Sequence, residues 1–218
     1  MWPGTVLVVA KAPVPGLAKT RLAADVGVEV AADIAAAALL DTLDAVASAQ
    51  VAERVVALTG DLGQACRADE IADRLTDFTV ITQRGEGFGE RLANAHEDAA
   101  APGLPVLQIG MDTPQVSPGL LADCGRAFVD DAVLGLAADG GWWVLGVRDA
   151  AMAGCLRGVP MSQPDTGALT LTALRNNGLR VRLVTELADF DTVADIESVR
   201  RACPPTGRFA RASRIAGV

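Results

Sequence analysis

The chain has no tyrosine, a single histidine, and aromatic residues at only 4% of its positions. With His96 as the sole imidazole, no convincing Ser/His/Asp or Cys/His relay can be assembled, so covalent catalysis is not expected. His96 sits in the helical stretch from Glu90 to Ala100 beside Glu97 and Asp98, and reads as part of a solvated helix face. The four cysteines, Cys66, Cys124, Cys155 and Cys203, form no CxxC and no Cys/His pair of zinc-finger spacing. Buried free thiols are the expectation. Positive charge is also scarce: 19 Lys and Arg stand against 27 Asp and Glu, for a net charge of -8 and a pI near 4.6. Such a surface argues against broad binding to nucleic acid or an anionic membrane. Long apolar runs are missing too. The N-terminal one, Val6 to Ala10, is short and has no basic region before it, so it fits neither a signal peptide nor a membrane span, and a cytoplasmic location is expected.

What is present is an alternation of short apolar runs with longer stretches of helical period. Val6–Ala10, Arg54–Thr59, Phe78–Thr82 and Val106–Gly110 read as strands. Helical patterns lie between them, at Val28–Ala49 with its alanine-rich amphipathic spacing, and near 63–75, 90–100 and 117–129. After Asp130 two strand-like runs, Ala132–Ala137 and Trp142–Val147, follow each other directly across the turn Ala138-Asp-Gly-Gly141. A helix near 165–177, a strand at Arg180–Thr185 and a helix near 193–202 complete the pattern. Repeated strand–helix units predict an α/β fold, a three-layer αβα sandwich around a mostly parallel sheet, and the adjacent strands of the second half predict a mixed edge. A single domain over residues 1–203 is expected, followed by a loosely packed C-terminal tail at 204–218.

Basic residues concentrate in one place. Lys11, Lys19 and Arg21 fall within the segment KAPVPGLAKTRL that leaves the first strand, the place where α/β proteins commonly hold a ligand. Pro13 and Pro15 stiffen the segment, while Gly16 lets the backbone turn or approach a ligand. Three cations suit a di- or triphosphate, with Lys as a point charge and Arg as a planar fork of donors; a solvated turn is the plain alternative. It is not a Walker A loop, because GxxxxGK[ST] is absent. Asp112 stands at the end of Val106–Gly110, at the carboxyl edge of the sheet, where it either caps a turn or binds a hard divalent cation. Gln83 to Gly89 ends a strand and opens a helix. Gly87 and Gly89 permit backbone contact with a flat ligand, and Gln83 offers a donor and an acceptor to a nucleobase edge. Asp139, Gly140 and Gly141 carry the composition of a hairpin turn. Trp142 and Trp143 alternate on a strand, so at most one of them can line a site.

Five blocks together resemble the DUF2064 family, glycosyltransferase-A-like proteins related to 2-phospholactate nucleotidyltransferases. They are KAPVPGLAKTRL, QRGEGFGERL (83–92), IGMDTPQVSP (109–118), LGLAADGGWWVLG (134–146) and DFDTVADI (189–196), the last similar to the family's DVDTxEDL. The resemblance implies a nucleotide-diphospho-sugar transferase-like fold. Lys11, Gly16, Lys19, Arg21, Gln83, Gly87 and Gly89 would contact nucleotide, and Asp139, Gly140 and Gly141 would lie over the acceptor. It further implies Mg²⁺ or Mn²⁺ held by Asp112 and, rather than Asp189, Asp191, with Thr192 left to cap the next helix. Lys19, Arg21 and Asp112 become the catalytic candidates. The expected function is metal-dependent transfer of a nucleotidyl group from a nucleoside triphosphate to a small phosphorylated or carboxylate acceptor. The alternatives are glycosyl transfer from a nucleotide diphosphate sugar and a non-catalytic nucleotide-binding module. Neither nucleic acid nor membrane is an expected partner, and a homo-oligomer is compatible with the sequence. Gln115 stands where the family often has an acidic residue, Leu136 where proline is common, and Trp142-Trp143 where tyrosines are usual.

Overall fold

A computed structural model describes residues 1–218. Its seven strands are β1 (Trp2–Lys11), β2 (Val51–Thr59), β3 (Thr79–Thr82), β4 (Val106–Gly110), β5 (Ala132–Ala137), β6 (Trp142–Val147) and β7 (Val181–Leu187). They form one sheet in the order β3-β2-β1-β4-β6-β5-β7. Every neighbouring pair is parallel except those made by β6, which runs against both β4 and β5. The β5–β6 hairpin enters the sheet through its second strand, so the antiparallel strand is internal and β7 forms the edge. Six strands therefore send their carboxyl ends to one rim, and the turn between β5 and β6 sits on that rim as well.

The helices are α1 (Thr20–Val26), α2 (Val28–Ala47), α3 (Ala68–Leu75), α4 (Phe88–Asp98), α5 (Pro118–Arg126), α6 (Thr166–Asn176), α7 (Val193–Ala202) and α8 (Arg208–Ile215), with a 3₁₀ segment at Ala150–Gly158. Alternate residues of β1 feed two cores. Val6, Val8 and Ala10 join the side chains of α2, α3 and α5, while Leu7 and Val9 join those of α4, the 3₁₀ segment and α6. Helix α2 explains the alanine enrichment. Ala35, Ala36, Leu39 and Leu43 pack on the sheet, while Ala31, Ile34, Ala37 and Ala38 belong to a third core shared with α1, α7 and α8. A helix covered on two sides needs small residues so that its neighbours can approach. No helix is long and apolar enough to cross a membrane.

Two expectations are corrected here. The segment 204–218 is not loose: α8 docks on α2, and Phe209, Ala210 and Ser213 are fully buried. The carboxylate of Asp41 accepts from the backbone N–H of Arg208 and of Phe209, both at 2.9 Å, satisfying donors that a helix start leaves open. The domain therefore includes the C-terminal segment. His96 is not on a solvated face either. It is fully buried with Leu92 and Ala93, and neither ring nitrogen has a hydrogen-bond partner. Burial pushes its pKa down to about 3. The neighbouring Glu97 and Asp98 do face outward, pairing with Arg157 and Arg84.

Of the cysteines, Cys124 and Cys203 are buried, Cys66 and Cys155 are half-buried, and all four are free. The two tryptophans point to opposite faces: Trp143 enters the α2 side and donates its indole N–H to the Thr185 carbonyl at 2.8 Å, and Trp142 packs on the α4 side.

Candidate functional site

The rim of the sheet collects the loops after β1, β3, β4, β5 and β7. After β1 the chain folds on itself: Leu17 and Ala18 both donate to the Val14 carbonyl at 3.0 Å, and Gly16 takes a φ of 77°, a conformation glycine adopts without steric cost. Lys11 closes this turn, its Nζ donating to the Leu17 carbonyl at 2.7 Å. Lys19 follows in the left-handed region, φ 47°, unusual for a residue with a side chain. That backbone turns its side chain inward, where it is only 8% exposed.

The Lys19 ammonium meets three acceptors. Its Nζ lies 3.0 Å from Asp112 Oδ2 and 3.9 Å from Asp191 Oδ1, and it donates to the Phe190 carbonyl. It also rests 4.3 Å above the Phe190 ring, on the electron-rich face. Arg21, 74% exposed, reaches Asp191 Oδ2 from the solvent side at 2.6 Å. Asp112 arrives here because β4 is the parallel neighbour of β1. Lys11 N–H even donates to the Met111 sulfur at 3.2 Å, which ties the two strand ends together.

Asp191 comes from farther away. After β7 the chain crosses back over the rim: the Leu187 carbonyl accepts from Ala138 N–H at 2.9 Å, and the Ala188 carbonyl accepts from the Gln115 side-chain amide. This gives Gln115 a function that an acidic residue could not fill, because a carboxylate has no proton to donate to a carbonyl. At the start of α7 the Asp195 carboxylate accepts from Asp191 N–H, Thr192 N–H and the Thr192 hydroxyl, at 3.0, 2.8 and 2.8 Å. Burial pushes the Asp195 carboxyl up, but these bonds and the charge of Lys19 hold it below the usual carboxylate range. Asp195 and Thr192 thus carry the capping, and the Asp191 carboxylate is left to face cations.

Asp189, which the family resemblance sets aside in favour of Asp191, has the most strongly perturbed carboxyl of the rim. Burial, with the charges of Asp139 and Asp112, raises its pKa to about 6 against the opposing pull of Lys19. Those couplings put Asp112, Asp139, Asp189 and Lys19 in one electrostatic neighbourhood. A signal existed: Asp189 and Asp191 flank a buried phenylalanine, and residues i and i+2 of an extended segment share a face. The Asp139-Gly-Gly turn is held firmly. Asp139 Oδ1 accepts from Gly141 N–H at 2.8 Å, and Gly140, with φ 91°, leaves no room for a Cβ, which would stand 1.7 Å from the Pro164 carbonyl oxygen. Gly167 N–H, at the start of α6, donates to the Gly140 carbonyl at 2.8 Å. It is a hairpin turn and a rim element together.

The residues after β3 behave differently from expectation. The Gln83 side-chain amide donates to the carbonyls of Ala10 and Ala57, at 2.8 and 2.9 Å, joining the ends of β1 and β2. Its donors are therefore engaged within the protein. Gly89 is buried, and a Cβ there would lie 2.4 Å from the Leu156 carbonyl oxygen, so it serves the packing of α4 on the 3₁₀ segment rather than contact with a ligand. Gly87 is exposed at the start of α4 with open space around it.

Carboxylates of Asp112 and Asp191 and a main-chain carbonyl converge within 4 Å of a single positive centre, the Lys19 ammonium, which marks the spot as one where a cation is stable. The donors are all oxygen, and no three His, Cys, Asp and Glu side chains gather anywhere as a cage. Two carboxylates with no His or Cys beside them suit Mg²⁺ or Mn²⁺, completed by phosphate oxygens and water, better than zinc.

Comparison with solved structures finds the same architecture. The chain superposes along its full length on a candidate nucleotide-diphospho-sugar transferase from Desulfovibrio desulfuricans G20, with 25% identity and a TM-score of 0.86, over 96% of that chain. A nucleotidyl transferase from Methanothermobacter thermautotroptrophicus gives 19% identity and a TM-score of 0.56 over 95% of this chain and 98% of the other. Rv0371c from Mycobacterium tuberculosis H37Rv, in complex with manganese, gives 21% identity and 0.53 over 90% and 97%. The last two likenesses show the fold. No curated protein matches the chain. The profile of DUF2064, described as an uncharacterized protein conserved in bacteria, matches residues 42–163, more than half of the chain; the protein belongs to the DUF2064 family.

Proposed function

We propose that the protein is a metal-dependent transferase that moves a nucleotidyl group from a nucleoside triphosphate to a small acceptor bearing phosphate or carboxylate. The observation that carries this reading is the convergence of Lys19, Arg21, Asp112 and Asp191 on one point of the sheet rim. The nucleotidyl transferase and the manganese complex among its structural neighbours support it.

In this reading Asp112 and Asp191 hold Mg²⁺ or Mn²⁺, which when bound neutralises charge on the phosphates. Lys19 and Arg21 hold the β- and γ-phosphoryl oxygens, Lys19 by point charge and Arg21 by paired N–H donors. The Gly16 turn brings backbone close to the same phosphates, while Lys11 braces the loop and adds positive charge. The Asp139-Gly-Gly turn orients the acceptor so that its oxygen approaches the α-phosphorus opposite the departing pyrophosphate. Catalysis then consists of alignment and charge compensation. A phosphate or carboxylate acceptor is already anionic, so no general base is required.

A second reading, transfer of a sugar from a nucleotide diphosphate sugar, is favoured by the Desulfovibrio neighbour. Incubating the protein with each nucleoside triphosphate or sugar nucleotide, Mn²⁺ or Mg²⁺, and a panel of phosphorylated and carboxylated acceptors separates the two. Metal-dependent pyrophosphate release supports nucleotidyl transfer, and release of nucleoside diphosphate supports glycosyl transfer. Nucleotide binding that ignores metal and yields no product would leave only a binding module.

A further inference from the structure

The chain contains just two lysines, Lys11 at the end of β1 and Lys19 in the loop that follows, against 17 arginines. At the innermost position of the site, then, a compact ammonium on a flexible stem stands where almost every other cation of the protein is a guanidinium. Lys19 reaches that position from a left-handed backbone, φ 47°, which for a residue with a Cβ persists only where the surroundings over-determine it. Four contacts do so here: the oxygens of Asp112 and Asp191, the Phe190 carbonyl and the Phe190 ring.

The oxygens that hold the ammonium are the ones the proposed metal site uses. Mg²⁺ needs carboxylate oxygens at about 2.0–2.1 Å, and Asp112 Oδ2 is already in contact with Nζ at 3.0 Å. Ammonium and metal cannot both sit on Asp112 Oδ2 without two like charges in van der Waals contact, and the Lys19 side chain is only 8% exposed although the two carboxylates are 38% and 37% exposed. Arg21 is different, because it is 74% exposed, reaches Asp191 Oδ2 and makes no ion pair with Asp112.

We infer that Lys19 is an internal counter-cation that competes with the divalent ion for Asp112 and Asp191 and releases them when a polyphosphate accepts its ammonium, so that metal and polyphosphate bind together. This rests on the proposed metal site. It gives Lys19 two successive partners. The aspartates hold it while the protein is free, which prevents repulsion between them, and the phosphates hold it in the complex. By linkage, polyphosphate raises the affinity for metal and metal raises the affinity for polyphosphate to the same degree.

The test is Mn²⁺ titration followed by the electron paramagnetic resonance of the free ion, without nucleotide, on wild type, Lys19→Met, Asp112→Asn and the double variant. Lys19→Met is expected to bind one Mn²⁺ roughly 10- to 100-fold more tightly than wild type, and the gain is expected to vanish in the double variant. Equal affinity in wild type and Lys19→Met, lost in Asp112→Asn, overturns the competition and leaves the metal site standing. Binding that ignores Asp112→Asn, or no binding to any of the proteins, overturns both. Should Lys19→Met not fold, wild type enriched in lysine labelled with ¹³C at Cε answers alone, since it shows two signals and Lys11→Arg assigns them. The Lys19 signal is expected upfield, over the Phe190 ring, to stay there with Mg²⁺ and to move to an ordinary position with Mg²⁺ and tripolyphosphate. A Lys19 signal that keeps its place while that of Lys11 shifts overturns the exchange, and no shift in either overturns the polyphosphate pocket with it.

Discussion

Replacing His96 by leucine should make the protein less sensitive to acid. His96 is fully buried and its two ring nitrogens have no partners, so folding favours the neutral ring and its pKa falls from the ordinary value near 6.5 to about 3. A group depressed in the fold contributes fully above its unfolded pKa and loses that contribution as pH falls toward the folded value. Between these limits the unfolded chain carries a proton that the folded chain lacks, and stability drops by about 1.4 kcal/mol per pH unit. From pH 7 to pH 4.5 the loss is about 3 kcal/mol, a large part of the roughly 5–15 kcal/mol that holds a domain together. Asp189 acts in the opposite direction, because its raised pKa, about 6, makes the fold take up a proton as pH falls. Comparing wild type with His96→Leu removes that contribution and those of the other carboxylates. Urea unfolding followed by tryptophan fluorescence at half-unit steps from pH 7.5 to 4.5 gives both curves. The difference should widen steadily below pH 6.5, and the variant should be more stable at pH 7 by about 1–3 kcal/mol through loss of orphaned polar atoms. Parallel curves would refute the reasoning.

Asp112→Asn should reduce metal-dependent turnover at least about 100-fold, by analogy with the loss of one preorganised electrostatic contact, with thermal unfolding near that of wild type; full turnover rejects its assignment. Gly89→Ala should destabilise by about 1–3 kcal/mol, since its Cβ meets the Leu156 carbonyl oxygen, whereas Gly87→Ala, with open space around it, should stay within about 0.5 kcal/mol; equal unfolding midpoints would contradict this. Phe209→Ala should cost about 3–5 kcal/mol and also lower turnover, while Phe209→Leu should restore most of both; a destabilised variant with unchanged kinetics would separate α8 from the site.

Much of the architecture was legible because buried strands bounded by turn residues announce themselves. Val106–Gly110, Ala132–Ala137 and Trp142–Val147 are found where the apolar runs place them, and α7 spans the expected Val193–Ala202. Helix α8 is hard to read because RFARASRI carries three arginines in eight residues, and its burial comes from contact with α2, far away in sequence. The 3₁₀ segment at 150–158 has no period to read. The charged neighbours of His96 suggest solvent, although the i, i+4 spacing of a helix puts Leu92 and His96 on one inner side while Glu97 faces outside. At the rim, Lys19, Arg21, Asp112 and Asp191 do come together. Gln83 and Gly89, whose residue types suit ligand contact equally well, are engaged by the protein itself. Sequence gives the chemistry of an amide donor but not which carbonyl it will meet.

Phe190 has one neighbour whose importance extends beyond packing. Its ring touches that of Phe209, with centroids 4.7 Å apart, and it also underlies the Lys19 ammonium. Under the proposed function, an alteration at Phe209 would reach the Lys19 ammonium through two aromatic rings, the second of which also offers Lys19 its main-chain carbonyl. If that proposal holds, selection for heat tolerance at Phe209 would register as a change in catalytic rate, although Phe209 itself makes no ion pair or hydrogen bond with Asp112 or Asp191.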